Sequence, residues 1–391
     1  MICGSKMKII SHCTKNSLML VGIIGATLIW SACTESVSPP ESMRLQLNIS
    51  VIDTSEFTQS IYGTTSVPDA RVFLNSISYY NTYDTLSDSS GSAIFNGILP
   101  DLYNISVTKT IPADLCSTVT GVALPRALNG QVQNIEITGS TCNVTVYVTP
   151  SSIGTIIFSE IYYNGSVKNP IPYYYHDQFT ELYNNSDDVV YLDSLIIADA
   201  EYGYRDEDYI HSVHAYMFPG DGDDYPLAPG EMVIVAQDAI NHTANNSIDL
   251  SGAEFEYYAY GQSDVDYPAT NMIQLHHKYG VDFLYSVKSS AVVLLKVADP
   301  YAYGYDNYNQ IQLPKSAVLD GVEYKEDLTD YAYKRLGPTI DAGITGGFEM
   351  YQSKSIQRKI DYYKDGRAIL MDNNNSSIDF GVITPPTPHS F

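Results

Sequence analysis

Apolar residues recur at every second position through most of this 391-residue chain, the period of a half-buried strand rather than of a helix. In RLQLNISVID the residues Leu45, Leu47, Ile49 and Val51 fall on one face. VPDARVFLN, IFNGILP and DLYNISVTK repeat the pattern up to Lys109, with SDSSGSA as a turn between them, so the first block reads as a small sandwich. A second series follows: IFSEIYYN from Ile157, FTELYN from Phe179, LAPGEMVIVA from Leu227, SAVVLLK from Ser290, AVLDGVEY from Ala317 and SKSIQRK from Ser353. The expected fold class is all-β, with two immunoglobulin-like β-sandwich domains at 43–147 and 153–391, the second carrying long insertions at 201–226 and 237–285. Along FTELYN, alternation puts Glu181 with Phe179 and Tyr183, opposite Thr180 and Leu182. One of those two faces must be wet or satisfied by hydrogen bonds.

The first forty residues follow another logic. Lys6, Lys8 and Lys15 precede the apolar run LMLVGIIGATLIW, which is too short to span a bilayer and has the layout of an export signal. LIWSAC resembles the lipobox of bacterial lipoproteins, which implies lipidation at Cys33, a signal peptide over 1–32 and a polar tether over 33–42. A plain secretory signal is the alternative. Beyond Cys33 only Cys116 and Cys142 remain; in an oxidising compartment they would form a bridge, or else stay buried thiols.

Val67-Pro68-Asp69-Ala70-Arg71-Val72, then Asp88-Ser89-Ser90-Gly91, Ile94 to Pro100 and Tyr103, resemble the carboxypeptidase regulatory-like domain. That resemblance implies an accessory sandwich without catalytic groups. In order and spacing, Glu160, Asn164, Glu181, Leu182 and Asn184, then Pro229, Gly230, Ser355 and Arg358, resemble the lamin-tail domain, also an immunoglobulin-like sandwich. Together with the signal, the combination resembles uncharacterised surface lipoproteins of Gram-negative bacteria, often found beside TonB-dependent outer-membrane transporters. It implies such an envelope protein as partner, and membrane contact through the lipid alone.

Charge narrows the partners further. The chain has 21 basic and 45 acidic residues, a net −24; removing the signal with its three lysines deepens this. Nucleic acid is excluded for want of a basic footprint. The only Trp is Trp30, while Tyr occurs 34 times, which suits strands with aromatic outer faces.

Three constellations could carry chemistry. Glu160 and Glu181 could oppose each other as a glycosidase pair, with a structural role in the sheet as the favoured reading. Asp206, Asp208, Asp221, Asp223 and Asp224, beside His211 and His214, could hold calcium or begin a zinc site, although neither an EF-hand spacing nor HExxH is present; a solvated acidic loop is the preferred reading. His276 and His277 are adjacent and would point to opposite faces of a strand. No nucleophile elbow or phosphate loop occurs. The expected function is therefore a non-enzymatic, lipid-anchored binding or interaction module without a required cofactor, calcium being the one candidate; a metal-assisted hydrolase or a purely adhesive protein are the alternatives.

Overall fold

Alternation builds the first lobe as expected. A computed structural model describes residues 44–79, 81–121, 125–167, 173–201, 206, 208–331 and 333–391, so the signal, Cys33 and the tether lie outside the described residues. β1 (Leu45–Asp53) buries Leu45, Leu47, Ile49 and Val51 and leaves Ser50 exposed. After α1 (Phe57–Tyr62) come β2 (Arg71–Ser76), β3 (Thr82–Leu86), β4 (Ser92–Ile98), β5 (Asp101–Ile111), α2 (Ala113–Thr120), β6 (Arg126–Ile137) and β7 (Thr141–Ser152). The strand order is β3-β2-β5-β6-β7-β1-β4. β7 lies parallel to β1 through Val148 and then antiparallel to β6 from Thr149. It thus crosses from one layer to the other and closes a sandwich around a single apolar core. Each large aliphatic side chain buried there contributes about 1.5–3 kcal/mol. Gly91 adopts φ +74°, and a Cβ at this position would lie 2.9 Å from the Val51 carbonyl oxygen, so the turn requires glycine. Tyr103 is buried with its hydroxyl donating to the Leu99 carbonyl at 2.8 Å.

The bridge expected between Cys116 and Cys142 is not formed; both are free thiols. Topology is the reason. Cys116 sits on α2, just past Ile111, which pairs with Arg126. Cys142 starts β7 beside the turn from Ile137, which pairs with Asp101 at the other end of the same ladder. Eleven strand residues separate those ends, about 35 Å at a normal rise, whereas a disulfide needs Cα atoms within about 7 Å.

The second lobe is a larger sandwich of two facing sheets, both covered on their outer sides. β8 (Ile156–Tyr162) and β9 (Phe179–Asn184) lead into β10 (Val190–Tyr191), β11 (Leu195–Asp199), β12 (Tyr209–Ser212), β13 (His214–Met217), β14 (Pro226–Leu227) and β15 (Met232–Ala236). β8, β9 and β15 form a seven-stranded sheet with Phe255–Glu256, Thr270–Asn271, Ser355–Arg358 and Phe380–Ile383. β11 and β13 lie in the facing six-stranded sheet with Ile273–His277, Ser289–Lys296, Val318–Lys325 and Thr345–Gly346. The last of these strands lies within the GITGG run at Gly343–Gly347.

Every residue of β8, β9 and β11 is buried. Leu182 and Phe158 point into the core between the sheets. On the outer side Phe179 packs under the 237–269 insertion, while Tyr183 packs under the hairpin 360–370. Neither face of β9 is wet, because the insertions supply extra layers.

Candidate functional site

A β-bulge decides where Glu160 goes. The pairing of β8 with β9 skips Ser159, so Phe158 and Ile161, three residues apart, both face the inner core, and Glu160 turns outward opposite Glu181. Both glutamates are fully buried. The Ser159 hydroxyl donates to Glu181 at 2.6 Å and the backbone N–H of His389 donates to its other oxygen at 2.7 Å. Glu160 accepts from Ser355 Oγ, from the Thr387 N–H and hydroxyl, both at 3.1 Å, and from Gln357. Burial pushes Glu181 up to about 8, and the neighbouring Glu160 adds to it; Glu160 is raised for the same first cause. Thr387 and His389 of the C-terminal segment lie against the pair, and each carboxylate is occupied by hydroxyl and backbone donors, Glu160 by the Gln357 amide as well. This arrangement pins a chain segment to the sheet.

The acids considered as calcium ligands lie in two separate places. Asp206 accepts from the Asp208 and Tyr209 N–H groups at 2.8 and 3.0 Å and faces His211 Nε2 at 2.9 Å. The His211 hydrogen bond is the first cause that lowers Asp206 to about 2. Asp221, Asp223 and Asp224 lie in an exposed loop wound around Asp193, which accepts the N–H groups of Gly222, Asp224 and Tyr225 at 3.0 Å. β11 and β13 separate the two groups: Ile196 pairs with Met217 near the 221–224 loop, and Asp199 lies beyond Ala198, at the other end, where it bonds Ser212. His211 and His214 also part company. His211 bridges Asp206 and Asp306, whereas His214 Nδ1 lies 2.8 Å from Asp199. His276 and His277 bond different partners, the Asn309 and Gly280 carbonyls. Among the described residues no group of three or more His, Cys, Asp or Glu side chains could hold a metal ion.

Two further clusters fasten loops. Arg358 is buried and donates to Asp320 at 2.6 Å and to the Phe158 and Met371 carbonyls, with Asp372 at 3.3 Å and Asp379 at 3.5 Å. Three carboxylates share one guanidinium, and burial raises Asp379 to about 7. His176 Nδ1 lies 2.8 Å from Asp282 and 3.8 Å from Asp238, and burial lifts Asp238 to about 7. This contact ties the 237–285 insertion to the segment before β9.

What remains outward is aromatic. The loop after Ser289–Lys296 reads DPYAYGYDNYN and presents Tyr301, Tyr303, Tyr305 and Tyr308, the last 76% exposed. Asp306 sets its shape by accepting the Tyr308 and Gln310 N–H groups at 2.8 and 2.9 Å while its other oxygen meets His211 Nδ1 at 2.8 Å. The Lys278 amine donates to the Tyr308 carbonyl, and His276 Nε2 lies 3.0 Å from the Asn309 carbonyl. The ring of Tyr305 lies 5.3 Å from His276, Tyr303 lies 5.8 Å from Tyr209, and Lys278 sits over the Tyr279 ring. The result is a fixed row of exposed phenols along the edge strand Ile273–His277. Sequence reasoning registered the abundance of tyrosine but singled out none of these residues. The signal was present as tyrosine at alternate positions between two aspartates.

Residues 228–387 match the family described as a protein of unknown function (DUF4876). Among solved structures, the chain is similar to a DUF4876 family protein from Bacteroides thetaiotaomicron, with 26% identity, a TM-score of 0.55, and coverage of 86% of this chain and 94% of that one. A streptococcal ancillary pilin aligns at 7% identity and a TM-score of 0.18, over 70% of this chain and 59% of that one. No curated protein matches the chain.

Proposed function

We propose that this chain is a non-catalytic, lipid-anchored envelope protein that works as a binding or adhesive module, with the Tyr301–Tyr308 row as its contact face. The observation that carries the reading is the presentation of those phenols: four exposed rings on a loop whose backbone is fixed by Asp306, His276 and Lys278. Tyrosine supplies large contact area at small cost in side-chain entropy, which is why contact faces are rich in it. Glu160, Glu181 and Asp206 are each occupied in fastening loops, while Asp221, Asp223 and Asp224 lie apart from them in an exposed loop, which favours binding over turnover. The lipobox-like LIWSAC supports anchoring at Cys33, and the resemblance to lipoproteins found beside TonB-dependent transporters supports an outer-membrane protein as the partner. Calcium has no part in this reading.

A photo-crosslinking residue placed at Tyr308 in cells tests it. Capture of one outer-membrane protein, lost when Tyr303 and Tyr305 are changed to Ser, is the expected result. Crosslinks spread over unrelated proteins, or none above a control residue on β3, would reject the contact face. Loss of labelling by a clickable fatty acid in Cys33→Ser tests the anchor separately.

A further inference from the structure

A cleft between the two lobes is lined from both sides by cationic, hydroxyl, amide and aromatic side chains. Three adjoining cavities of about 410, 270 and 430 Å³ run along it; the first two share Asn75, Thr82, Lys359 and Ser377, and the last two share Arg71, Met371 and Ile378. Alternation in β2 forms one wall. Val72, Leu74 and Ser76 are buried, so Arg71, Phe73 and Asn75 turn outward and line the middle cavity. The Arg71 guanidinium lies 4.9 Å from the centre of the Phe73 ring. The other lobe contributes Lys359, Ser377 and Phe380.

The charge of this cleft runs against that of the molecule. In a chain of net −24, Arg71, Lys109 and Lys359 all line it. Both lysines end on backbone carbonyls, Lys359 on Ile378 at 2.7 Å and Lys109 on Pro68. The carboxylates at hand are Asp69, which lines the third cavity, Asp84, and Asp379. Asp84 holds Arg71 through one oxygen in an exposed pair, an interaction worth little. Asp379 faces the buried Arg358 as well as Lys359. Burial depresses the Lys359 amine, Asp379 partly offsets this, and Arg71 in the opposite lobe depresses it again. Two cations of like sign therefore line one cavity from opposite sides, with hydroxyl and amide groups around them and a partly exposed ring beside them.

We infer that this cleft binds a saccharide bearing carboxylate groups, an oligouronate in chemical class. Arg71 and Lys359 would take the carboxylate, Asn75, Thr82 and Ser377 the ring hydroxyls, and Phe73 the apolar face of a sugar ring. Charge-assisted bonds to a carboxylate are among the stronger polar contacts, and clefts between lobes are preferred ligand sites. The site is distinct from the tyrosine row and goes beyond the function proposed above.

Calorimetric titration of the intact chain with hexagalacturonate, maltohexaose and inorganic phosphate, in ~0.15 M salt where charges beyond about 8 Å are screened, tests the inference. Binding of hexagalacturonate alone is expected, weakened about tenfold or more in Arg71→Gln/Lys359→Gln while the melting temperature stays unchanged. Equal binding of maltohexaose, equal binding of phosphate, or no binding of hexagalacturonate overturns it. If the double variant melts early, acetylation of Lys359 in the unaltered protein decides: protection by hexagalacturonate supports the site, and unchanged acetylation at saturating ligand removes it.

Discussion

The two lobes solve the same problem differently. The first, residues 44–152, has one core and, among its described residues, a single buried acid, Asp53, which like the exposed Asp88 closes a turn through nearby N–H groups. The second carries buried Glu160, Glu181, Asp320, Glu323, Asp341, Arg358 and Asp379. The difference follows from insertion. A chain segment laid over the outer face of a sheet brings backbone N–H groups that must be paired, and carboxylates rising from the sheet pair them. Thus Asp341 accepts the Glu323, Gly343 and Ser376 N–H groups, and Glu323 accepts those of Arg335 and Leu336. The first lobe is held by packing, while the second is also stitched.

The comparison can be broken most directly at Arg358. Arg358→Met should destabilise the second lobe by about 3–5 kcal/mol, because Asp320, Asp372 and Asp379 lose their shared cation while staying buried. Urea unfolding followed by hydrogen exchange reads this lobe by lobe; an unchanged midpoint would dissolve the distinction. Leu47→Ala is the counterpart in the first lobe, with a cost of about 2–5 kcal/mol from the cavity alone and no added dependence on pH. Asp193→Ala should cost about 1–3 kcal/mol, since three N–H groups lose their acceptor. Changing Asp221, Asp223 and Asp224 together to Asn should shift melting by under about 0.5 kcal/mol, as expected of surface positions, with or without calcium.

Glu181 gives a signed pH test. Its folded value of about 8 lies above the ordinary 4.5, so across that window the folded state keeps a proton that the unfolded chain releases. Stability attributable to this group therefore falls as pH rises from 4.5 to 8, by at most about 1.4 kcal/mol per unit. Glu181→Gln should flatten that slope, seen in denaturation midpoints at pH 5, 6, 7 and 8. The smallest effect belongs to the thiols. Cys142→Ser should leave melting within about 0.5 kcal/mol, and mass spectrometry after alkylation in denaturant without reductant should find Cys116 and Cys142 both modified.

Much of the fold was legible because β1 and β2 keep strict alternation, so their inward residues could be read directly. Legibility failed where the ladder slips. The bulge at Ser159 moves Glu160 to the opposite face from Phe158, and no period-two reading can anticipate one extra residue. The acids at 206 and 221–224 are close in sequence, yet β12 and β13 carry the chain between them to opposite ends of β11. The cleft was invisible for a related reason: Arg71 and Lys359 are 288 positions apart in the numbering, and only the docking of two lobes makes them neighbours.

The parallel run of β1 with β7, from Gln46 beside Thr141 to Asp53 beside Val148, has a mechanical consequence. Tension entering ahead of Leu45 and leaving beyond Ser152 pulls these two strands lengthwise past each other. All their cross-strand bonds are then loaded at once instead of being peeled apart singly. The geometry of that pair is shear, the arrangement in which a ladder yields as a unit.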